Sequence, residues 1–306
     1  MTKNTANTAA EAAAQDTFLL GGEFPVRRIG FGAMRLPMGK FGEPARAPET
    51  GMAVLRRAIE LGVNHIDTAD FYAVGDVRSN DMIRKALTPY QDGLVIATKV
   101  GPMTDDSGVP SREATPDQLR GLVEDNLRAL ALDRLDLVYL RVGGMTGPGG
   151  ASVAERFAVL AELQREGLIR HLGVSNVDGE QFEQARSVAP IAAVQNHFHV
   201  QHQADAELLT RCVDLGIAFV PFFPLGGGFQ PLDAPNVLKV AERHGATPTQ
   251  IAQAWLLAVA PNLLLIPGTG SLDHLEENIA AGAIELTAED RAEAGLPLES
   301  GTAVRG

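Results

Sequence analysis

A chain of 306 residues with 45% hydrophobic and 21% charged residues has the composition of a globular protein with a sizeable core. Its formal net charge of −12 at pH 7 argues against nucleic acid or an anionic membrane surface as a partner. The single cysteine, Cys212, excludes an internal disulfide and favours a reducing compartment, so we expect a cytoplasmic protein. Because it lies in the apolar stretch AELLTRCVDLG, we interpret Cys212 as a buried packing residue rather than a nucleophile.

The chain begins with a polar segment that is followed by a hairpin signal. Residues 1–16, MTKNTANTAAEAAAQD, are small and polar, which predicts a flexible N-terminal tail. Since no linker or internal repeat follows, we expect residues 17–306 to form a single domain. The stretch FLLGGEFPVRRIG predicts a short β-hairpin with Gly21 and Gly22 near its turn.

Strand-like and helical segments alternate along the rest of the chain. The helical pattern ETGMAVLRRAIELG ends at Gly62, and SVAERFAVLAELQREG ends at Gly167. TPDQLRGLVEDNLRAL begins with Thr115 as a predicted N-cap and Pro116 in the first helical position. The predicted strands are residues 29–31, 65–67, 94–98, 135–140, 169–174, 192–195, 218–222 and 263–267.

Eight strands with intervening helices predict an α/β protein with a (β/α)8, or TIM, barrel preceded by the hairpin. An open doubly wound sheet is the competing architecture. It is disfavoured because no predicted strand is followed by G-x-G-x-x-G. The nearest candidate, GFGAMR, lacks the third glycine and leads into a loop rather than a helix.

Reactive side chains stand at the ends of three successive predicted strands. Asp67 ends the second strand and is followed by Tyr72, Lys99 ends the third, and Arg141 ends the fourth. Each residue alone fits a structural role, as a turn cap, a core-edge aromatic or a cation that extends to water. Together they make chemical sense, because the carboxylate holds the ammonium and the ammonium eases the loss of a proton from the phenol.

Seven motifs, in order and at matching spacing from about Gly30 to Ala280, resemble the aldo-keto reductase superfamily. They are GFGAMRL, NHIDTADFY, ATKVG, GVSNV, VQNHF, FVPFFPLGGG and IPGTGSLDHLEEN. The resemblance implies a (β/α)8 barrel that transfers hydride between NADP and a small carbonyl or alcohol, with NAD as a possible cofactor. It assigns Asp67, Tyr72 and Lys99 to three positions of a catalytic tetrad.

Arg141 occupies the fourth tetrad position, where most members of the superfamily have histidine. Arginine can donate to the carbonyl oxygen and favours negative charge on it. The alternative is that Arg141 turns aside to pair with Asp67 or a loop acid. The runs LRV and VPFFPLGG also resemble a bacterial subgroup similar to pyridoxal reductases, which favours a pyridoxal-like aldehyde as substrate.

The resemblance also implies cofactor contacts. Ser175, Asn176 and Gln195 correspond to groups that hold the nicotinamide carboxamide, Phe222 to a ring that stacks on the nicotinamide, and Glu277 and Asn278 to adenine contacts. The remaining implied contacts are Gly32, Ala33, Met34, Leu225, Gly226, Gly227, Gly268, Thr269, Gly270, Ser271 and His274. Many NADPH-using members have Lys and Arg around the 2′-phosphate where this chain has Gly268 and His274.

Two other functions stay open on the sequence. The stretch HFHVQH places His197, His199 and His202 close together, but a metal-dependent hydrolase would need further ligands from other strands, so we expect no metal. The same fold could also serve as a nicotinamide-nucleotide-sensing subunit without turnover. Oligomeric state and the physiological substrate are not indicated by the sequence.

Overall fold

The first described element is the hairpin that the sequence predicts. The structure is a computed structural model that describes residues 17–39, 45–105, 110–145, 147–228 and 232–295, so the predicted tail at 1–16 lies outside the described residues. Strands β1 (Thr17–Leu20) and β2 (Phe24–Arg27) pair antiparallel. Gly21 and Gly22 join them with φ of 63° and 74°, in the left-handed region that glycine enters without strain. The predicted hairpin is confirmed.

Seven parallel strands then form one sheet. The described strands after the hairpin, in and outside this sheet, are β3 (Phe31–Gly32), β4 (His65–Asp67), β5 (Ala73–Val74), β6 (Val77–Arg78), β7 (Val95–Val100), β8 (Pro102–Thr104), β9 (Pro110–Glu113), β10 (Leu135–Arg141), β11 (Ile169–Ser175), β12 (Ala193–Gln195) and β13 (Ala218–Phe219). The pairs β5–β6 and β8–β9 are small antiparallel hairpins outside the sheet. The sheet order is β3-β4-β7-β10-β11-β12-β13, so strands that follow one another in the barrel are also neighbours in space.

The predicted eighth strand, residues 263–267, closes the sheet into a barrel. It makes only isolated parallel bridges, but these reach both edges of the sheet. Leu263 bridges to Phe219 at one edge, and Leu265 bridges to Ile29 at the other. The architecture is therefore the predicted (β/α)8 barrel, and the open doubly wound alternative is excluded.

Helices cover the outside of the barrel. Those in the described residues are α1 (Pro48–Glu60), α2 (Ser79–Leu87), α3 (Pro116–Leu130), α4 (Ala154–Arg165), α5 (Gly179–Val188), α6 (Ala206–Asp214), α7 (Pro235–His244), α8 (Pro248–Val259), α9 (Leu272–Ala280) and α10 (Ala288–Ala294). None of these is long and apolar enough to cross a membrane.

The predicted helix ends are also present. Thr115 is the N-cap of α3, and its backbone N–H donates to Oε1 of Gln118 over 3.1 Å. Pro116 is the first helical residue, where a missing N–H costs nothing. Gly62 and Gly167 follow α1 and α4 with φ of 88° and 87°, as expected for glycines that end helices.

The hairpin closes the end of the barrel at which the parallel strands begin. Leu20 and Val26 are fully buried against inward-facing residues such as Leu137. Asn64, which precedes β4, accepts a hydrogen bond from Arg27 N at 2.8 Å, and its side chain donates to Pro25 O at 2.9 Å. The opposite end, where the strands terminate, is left for a functional site.

Candidate active site

A buried ion pair lies at the carboxyl ends of β4 and β7. Lys99 Nζ donates to Asp67 Oδ1 over 2.5 Å, and both side chains are 2% exposed. Lys99 Nζ also donates to the carbonyl oxygen of Thr68 at 3.1 Å. Burial opposes the ammonium charge, but Asp67 and the nearby phenol outweigh it and raise the pKa of Lys99 above its usual value. The lysine is therefore held as a cation inside the protein.

Tyr72 covers this pair from the mouth of the barrel. Its ring is half-buried, and Lys99 Nζ lies 4.9 Å from the ring centroid. The tyrosine sits in the loop after β4, where its N–H donates to Ala69 O at 3.0 Å. The N–H of Ser79, the first residue of α2, donates to the Tyr72 carbonyl at 3.0 Å. These backbone bonds fix Tyr72 beside the charge of Lys99, so the predicted grouping of Asp67, Tyr72 and Lys99 is observed in space.

Arg141, at the end of β10, points into the same region without forming a described salt bridge. Its Nη1 donates to Ser175 Oγ at 3.2 Å, and its Nη2 donates to the carbonyls of Gly144 at 3.1 Å and Met145 at 2.8 Å. Its Cζ lies 4.9 Å from the ring centroid of Phe222. Burial lowers the pKa of Arg141, whereas electrostatic interactions with Tyr72 and Asp67 act to raise it. The guanidinium is thus oriented by neutral oxygens and an aromatic ring.

The loop that orients Arg141 is itself fixed from two directions. Asn176, in the left-handed region at φ 62°, donates its amide to the carbonyls of Val142, Gly144 and Gly147 at 2.8, 3.1 and 2.8 Å. Glu113 accepts a hydrogen bond from Gly143 N and forms an ion pair with Arg156. Asn176 and Glu113 thus hold this loop directly, and the loop in turn holds Arg141.

Aromatic and imidazole rings form the wall beside Arg141. His197 stacks on Phe222 with ring centroids 5.5 Å apart and an angle of 10° between planes. His202 stacks on His197 at 4.1 Å and 23°. Burial, followed by the neighbouring histidines, lowers the pKa of His197 to about 4, so this ring is neutral at physiological pH. The parallel rings of Phe222 and His197 therefore give the wall a flat and uncharged part.

The histidine cluster does not form a metal centre in the described part of the chain. Among the described residues, no group of three or more His, Cys, Asp or Glu side chains is close enough together to hold a metal ion. The rings of His197 and His202 face one another rather than aiming their nitrogens at a common point. Cys212 is buried, and burial raises its pKa to about 12, in agreement with a packing role.

A cleft of about 670 Å³ runs from Tyr72 across the carboxyl end of the barrel. It is lined by Gly32, Met34, Arg35, Gly39, Arg46, Asp67, Tyr72, Phe222, Phe223, Pro224, Leu225, Gly227, Ile266, Pro267, Gly268, Thr269 and Gly270. The volume lies in the range of small-molecule and cofactor sites. The largest part of the lining comes from the ends of β3, β13 and the eighth strand, which meet where the barrel closes.

Two glycines allow the end of β3 and the end of the eighth strand to approach each other closely at this closure. A Cβ at Gly32 would lie 2.5 Å from the carbonyl oxygen of Ile266, and one at Gly268 would lie 2.5 Å from that of Gly32. Gly226 and Gly227, with φ of 69° and 63°, turn the chain at the other wall. Any larger side chain at these positions would displace the backbone that forms the walls of the cleft.

Two arginines in the cleft were missed by the sequence reasoning. Arg35 donates from Nη1 to Gly39 O at 2.7 Å and from Nη2 to Gly227 O, so it spans the cleft. Burial and the positive charge of Arg46 lower the pKa of Arg35. Arg46 lies against Gly270 and donates from Nε to Met38 O at 3.2 Å. The available signal was that both arginines follow the first barrel strand in the run MRLPMGKFGEPAR, and loops that follow barrel strands form the active face.

The predicted cofactor residues divide into those that reach the cleft and those that do not. Gly32, Met34, Phe222, Leu225, Gly227, Gly268, Thr269 and Gly270 line it. Ala33 is fully buried, and Gly226 turns the backbone next to the lining residue Gly227. Ser271 is the N-cap of α9, and His274 is exposed on the first turn of that helix.

Several predicted contacts use their side chains inside the protein instead. Gln195 is fully buried and donates from Nε2 to Asp67 Oδ2 at 2.7 Å. Asn278 accepts from Gln253 at 3.0 Å, and Glu277 accepts from Thr247, so both side chains bind α8 or its N-cap. Their predicted roles at the nicotinamide and adenine stay predictions.

Comparison with known proteins gives long, nearly complete matches. The profile of the aldo/keto reductase family matches residues 28–294. The chain is 47% identical over 277 residues to pyridoxine 4-dehydrogenase of Escherichia coli K12, covering 90% of this chain and 95% of that protein. It is 35% identical over 289 residues to an uncharacterized oxidoreductase of Schizosaccharomyces pombe, covering 94% and 92% of the two chains.

Solved structures resemble the whole barrel. A thermostable aldo-keto reductase in complex with the inhibitor epalrestat superposes with a TM-score of 0.76 at 30% identity, covering 91% of this chain and 98% of that one. An aldo/keto reductase from Klebsiella pneumoniae in complex with NADP and acetate superposes with a TM-score of 0.74 at 27% identity, covering 91% and 94%.

Proposed function

The chain belongs to the aldo/keto reductase family, and we propose that it uses NADPH to reduce a pyridoxal-like aldehyde to the corresponding alcohol. The observation that carries this proposal is the half-buried phenol of Tyr72 beside the buried Lys99–Asp67 pair, at the mouth of a cofactor-sized cleft. We further propose that residues 17–306 act as one catalytic domain and that the protein works in the cytoplasm.

The cleft fits a dinucleotide with phosphate groups. Its glycines permit close approach of the backbone, and Arg35 and Arg46 supply positive charge in a chain whose net charge is −12. Bound NADPH supplies the hydride that adds to the carbonyl carbon. Relatives of known structure bind NADP in the same fold, which favours NADP(H) over NAD(H) for this chain.

Tyr72 is the proton donor in this proposal. When the carbonyl carbon gains hydride, its oxygen gains negative charge and takes the proton from Tyr72 Oη, which leaves the alcohol as product. The ammonium of Lys99 stabilises the resulting phenolate, since it lies 4.9 Å from the ring centroid. Asp67 keeps that ammonium charged in a buried site and fixes its direction.

Arg141 orients the carbonyl and stabilises the developing charge on its oxygen. Its guanidinium keeps unused donors after its bonds to Ser175, Gly144 and Met145, because a guanidinium carries five N–H groups. Unlike a neutral histidine, it carries a permanent charge. The substrate oxygen would then be held between this cation and the Tyr72 hydroxyl.

The flat wall of the site supports an aromatic aldehyde. Phe222 and His197 present stacked rings next to Arg141, and a planar pyridine ring can stack on such a surface. The 47% identical relative is named as a pyridoxine 4-dehydrogenase, and oxidation of pyridoxine at that position is the reverse of pyridoxal reduction. We therefore propose pyridoxal as the first substrate to test.

The test is a screen of NADPH oxidation with purified protein against pyridoxal and a panel of aliphatic, aromatic and sugar aldehydes. We expect the highest kcat/KM with pyridoxal, and oxidation of pyridoxine with NADP in the reverse direction. Turnover of none of these aldehydes, with NADPH still bound, would refute the proposed activity and favour a sensing subunit.

Tyr72→Phe is the matched control because it removes only the hydroxyl. We expect its kcat to fall by about 10²–10⁴, the usual contribution of a positioned general acid, while the Kd for NADPH changes little. Near-normal turnover in this variant would exclude Tyr72 as the proton donor.

A further inference from the structure

The pairing of β4 with β7 ends next to the buried ion pair. Its last paired residues are Asp67 and Ala97, and the N–H of Thr68 donates once more to the carbonyl of Ala97 at 2.8 Å. The carbonyl of Thr68 then accepts from Lys99 Nζ at 3.1 Å instead of from a strand N–H. The direction of this carbonyl therefore depends on contacts outside the sheet.

A chain of four buried polar side chains lies between these strand ends and the helices α2 and α3. Thr68 Oγ1 donates to Asn80 Oδ1 at 2.8 Å, and Asn80 Nδ2 donates to Asn126 Oδ1 at 3.2 Å. Thr98 Oγ1 donates to the same Asn126 oxygen at 2.6 Å. Each of the four side chains is at most 1% exposed. One threonine follows the carboxylate of the ion pair in the sequence and the other precedes its lysine, so the chain connects both halves of the pair.

Asn126 is the centre of this chain. It lies in α3, where its Nδ2 donates to Leu122 O at 2.9 Å, one turn earlier in the same helix. Its Oδ1 accepts from Asn80 and Thr98, which uses both lone pairs of the amide oxygen. The amide is thus held by three hydrogen bonds and cannot rotate without breaking them.

The chain also reaches the segment that holds Tyr72. Asn80 directly follows Ser79, whose N–H donates to the Tyr72 carbonyl at 3.0 Å at the start of α2. Through Asn80, Asn126 therefore connects the strand ends of the ion pair with the helix that fixes the phenol.

We propose that Asn126 is a positioning residue for the reaction. Through Asn80 it holds the Thr68 carbonyl against the ammonium of Lys99, and it thereby keeps that ammonium beside Tyr72. This inference rests on the proposed function, since it takes Tyr72 as the proton donor. Asn126 is not among the residues that line the cleft, so its effect is transmitted through the protein. A chain of neutral groups can direct the carbonyl without adding a charge next to the buried pair.

The first measurement follows the Lys99 ammonium directly and needs no substrate. Proton–nitrogen NMR correlation detects ammonium groups whose hydrogens exchange slowly with water, as buried and hydrogen-bonded groups do. The Lys99 signal is assigned by its loss in Lys99→Met. We expect this signal to shift or disappear in Asn126→Leu and in Thr68→Val, because both changes release the Thr68 carbonyl. Thr68→Ser keeps the hydroxyl and should keep the wild-type signal.

Asn262→Leu is the matched control. Asn262 is also buried, at 2% exposed, and donates to Ile217 O at 2.7 Å, but it precedes the eighth strand at the opposite end of the barrel. We expect a lower melting temperature in this variant with an unchanged Lys99 signal.

The second measurement is aldehyde reduction by the same preparations. We expect kcat to fall by about 10-fold in Asn126→Leu and in Thr68→Val, the contribution of one hydrogen bond, with little change in KM for the aldehyde or in Kd for NADPH. Thr68→Ser and Asn262→Leu should keep the wild-type kcat per folded molecule. If Asn126→Leu does not fold, Thr68→Val with Thr68→Ser decides the question.

The outcomes separate a positioning role from a structural one. A lower melting temperature with wild-type kcat and an unmoved Lys99 signal would show that the chain only stabilises the fold, and would overturn the proposal. A Lys99 signal that moves in Asn262→Leu, or that is absent from the wild type, would overturn it as well. Weaker NADPH binding at unchanged kcat would also do so. If the signal responds as expected but the wild type reduces no aldehyde, the proposed function fails while the positioning of Lys99 by Asn126 stands.

Discussion

Replacing Asp67 by Asn tests whether the buried ammonium of Lys99 depends on its carboxylate partner. Both side chains are 2% exposed, and Asp67 accepts from Lys99 at 2.5 Å and from Gln195 at 2.7 Å. Asn has one acceptor oxygen for these two donors, so its own NH2 must face a donor in either orientation. We expect a loss of about 3–5 kcal/mol in the free energy of unfolding at pH 7, the cost of leaving one charge of a buried pair unpaired.

The loss of unfolding free energy in Asp67→Asn should become smaller as the pH rises. In the wild type the pKa of Lys99 is raised above its unfolded value of 10.5, so the stabilising contribution is present below pH 10.5 and is lost as pH rises through the folded pKa. In Asp67→Asn, burial is opposed only by the phenol of Tyr72, and we expect it to move the pKa of Lys99 below its unfolded value. The variant should therefore gain stability relative to the wild type as pH rises toward 10.

The measurement is denaturant unfolding at several pH values between 6 and 10, with two further variants. Asp67→Asn/Lys99→Met removes both charges and should recover part of the stability that Asp67→Asn loses. Glu276→Gln, which breaks the exposed pair with Arg57, should change stability much less because solvent screens that pair. A variant Asp67→Asn as stable as the wild type at pH 7, with no change in pH dependence, would refute the reasoning.

Three further expectations concern single features of the chain. Arg141→Met should lower kcat/KM by an amount that corresponds to a loss of about 2–4 kcal/mol of transition-state stabilisation, and Arg141→His should recover part of that loss. A drop in melting temperature with unchanged kinetics per folded molecule would instead assign Arg141 a structural role. Activity should survive dialysis against a strong chelator, because Tyr72, Lys99 and Arg141 provide the proton and the positive charge; activity that is lost and then returns with zinc would contradict this. Iodoacetamide at pH 8 should not label native Cys212, whose pKa of about 12 keeps it a buried thiol, and mass spectrometry should detect labelling only after unfolding.

Most of the barrel could be predicted because its signals are local. The hairpin glycines, the cap at Thr115 and the helix-ending Gly62 act within a few residues, and the structure has each of them. The grouping of Asp67 with Lys99 could be predicted as well, although the residues are 32 positions apart. Parallel strands end at one face of a barrel, so residues at strand ends meet there.

Strand lengths and barrel closure depended on tertiary contacts. The predicted strand at 218–222 is only Ala218–Phe219, and residues 263–267 make isolated bridges in place of a regular strand. Their pairing partners are the two edges of a closed sheet, and Phe219 and Leu263 are far apart in the sequence. The apolar pattern of such a segment identifies it as buried but does not determine its hydrogen bonds.

The directions of polar side chains were decided only by the tertiary structure. Gln195 donates to Asp67, and Asn176 donates to the loop that holds Arg141, because each amide meets its partner from a different strand or loop. Arg46 reaches Gly270 across the cleft, although more than 200 residues separate them in the sequence. A sequence determines which donors and acceptors are present at each strand end, but burial requires each of them to find a partner, and only the packed chain brings those partners within hydrogen-bonding distance.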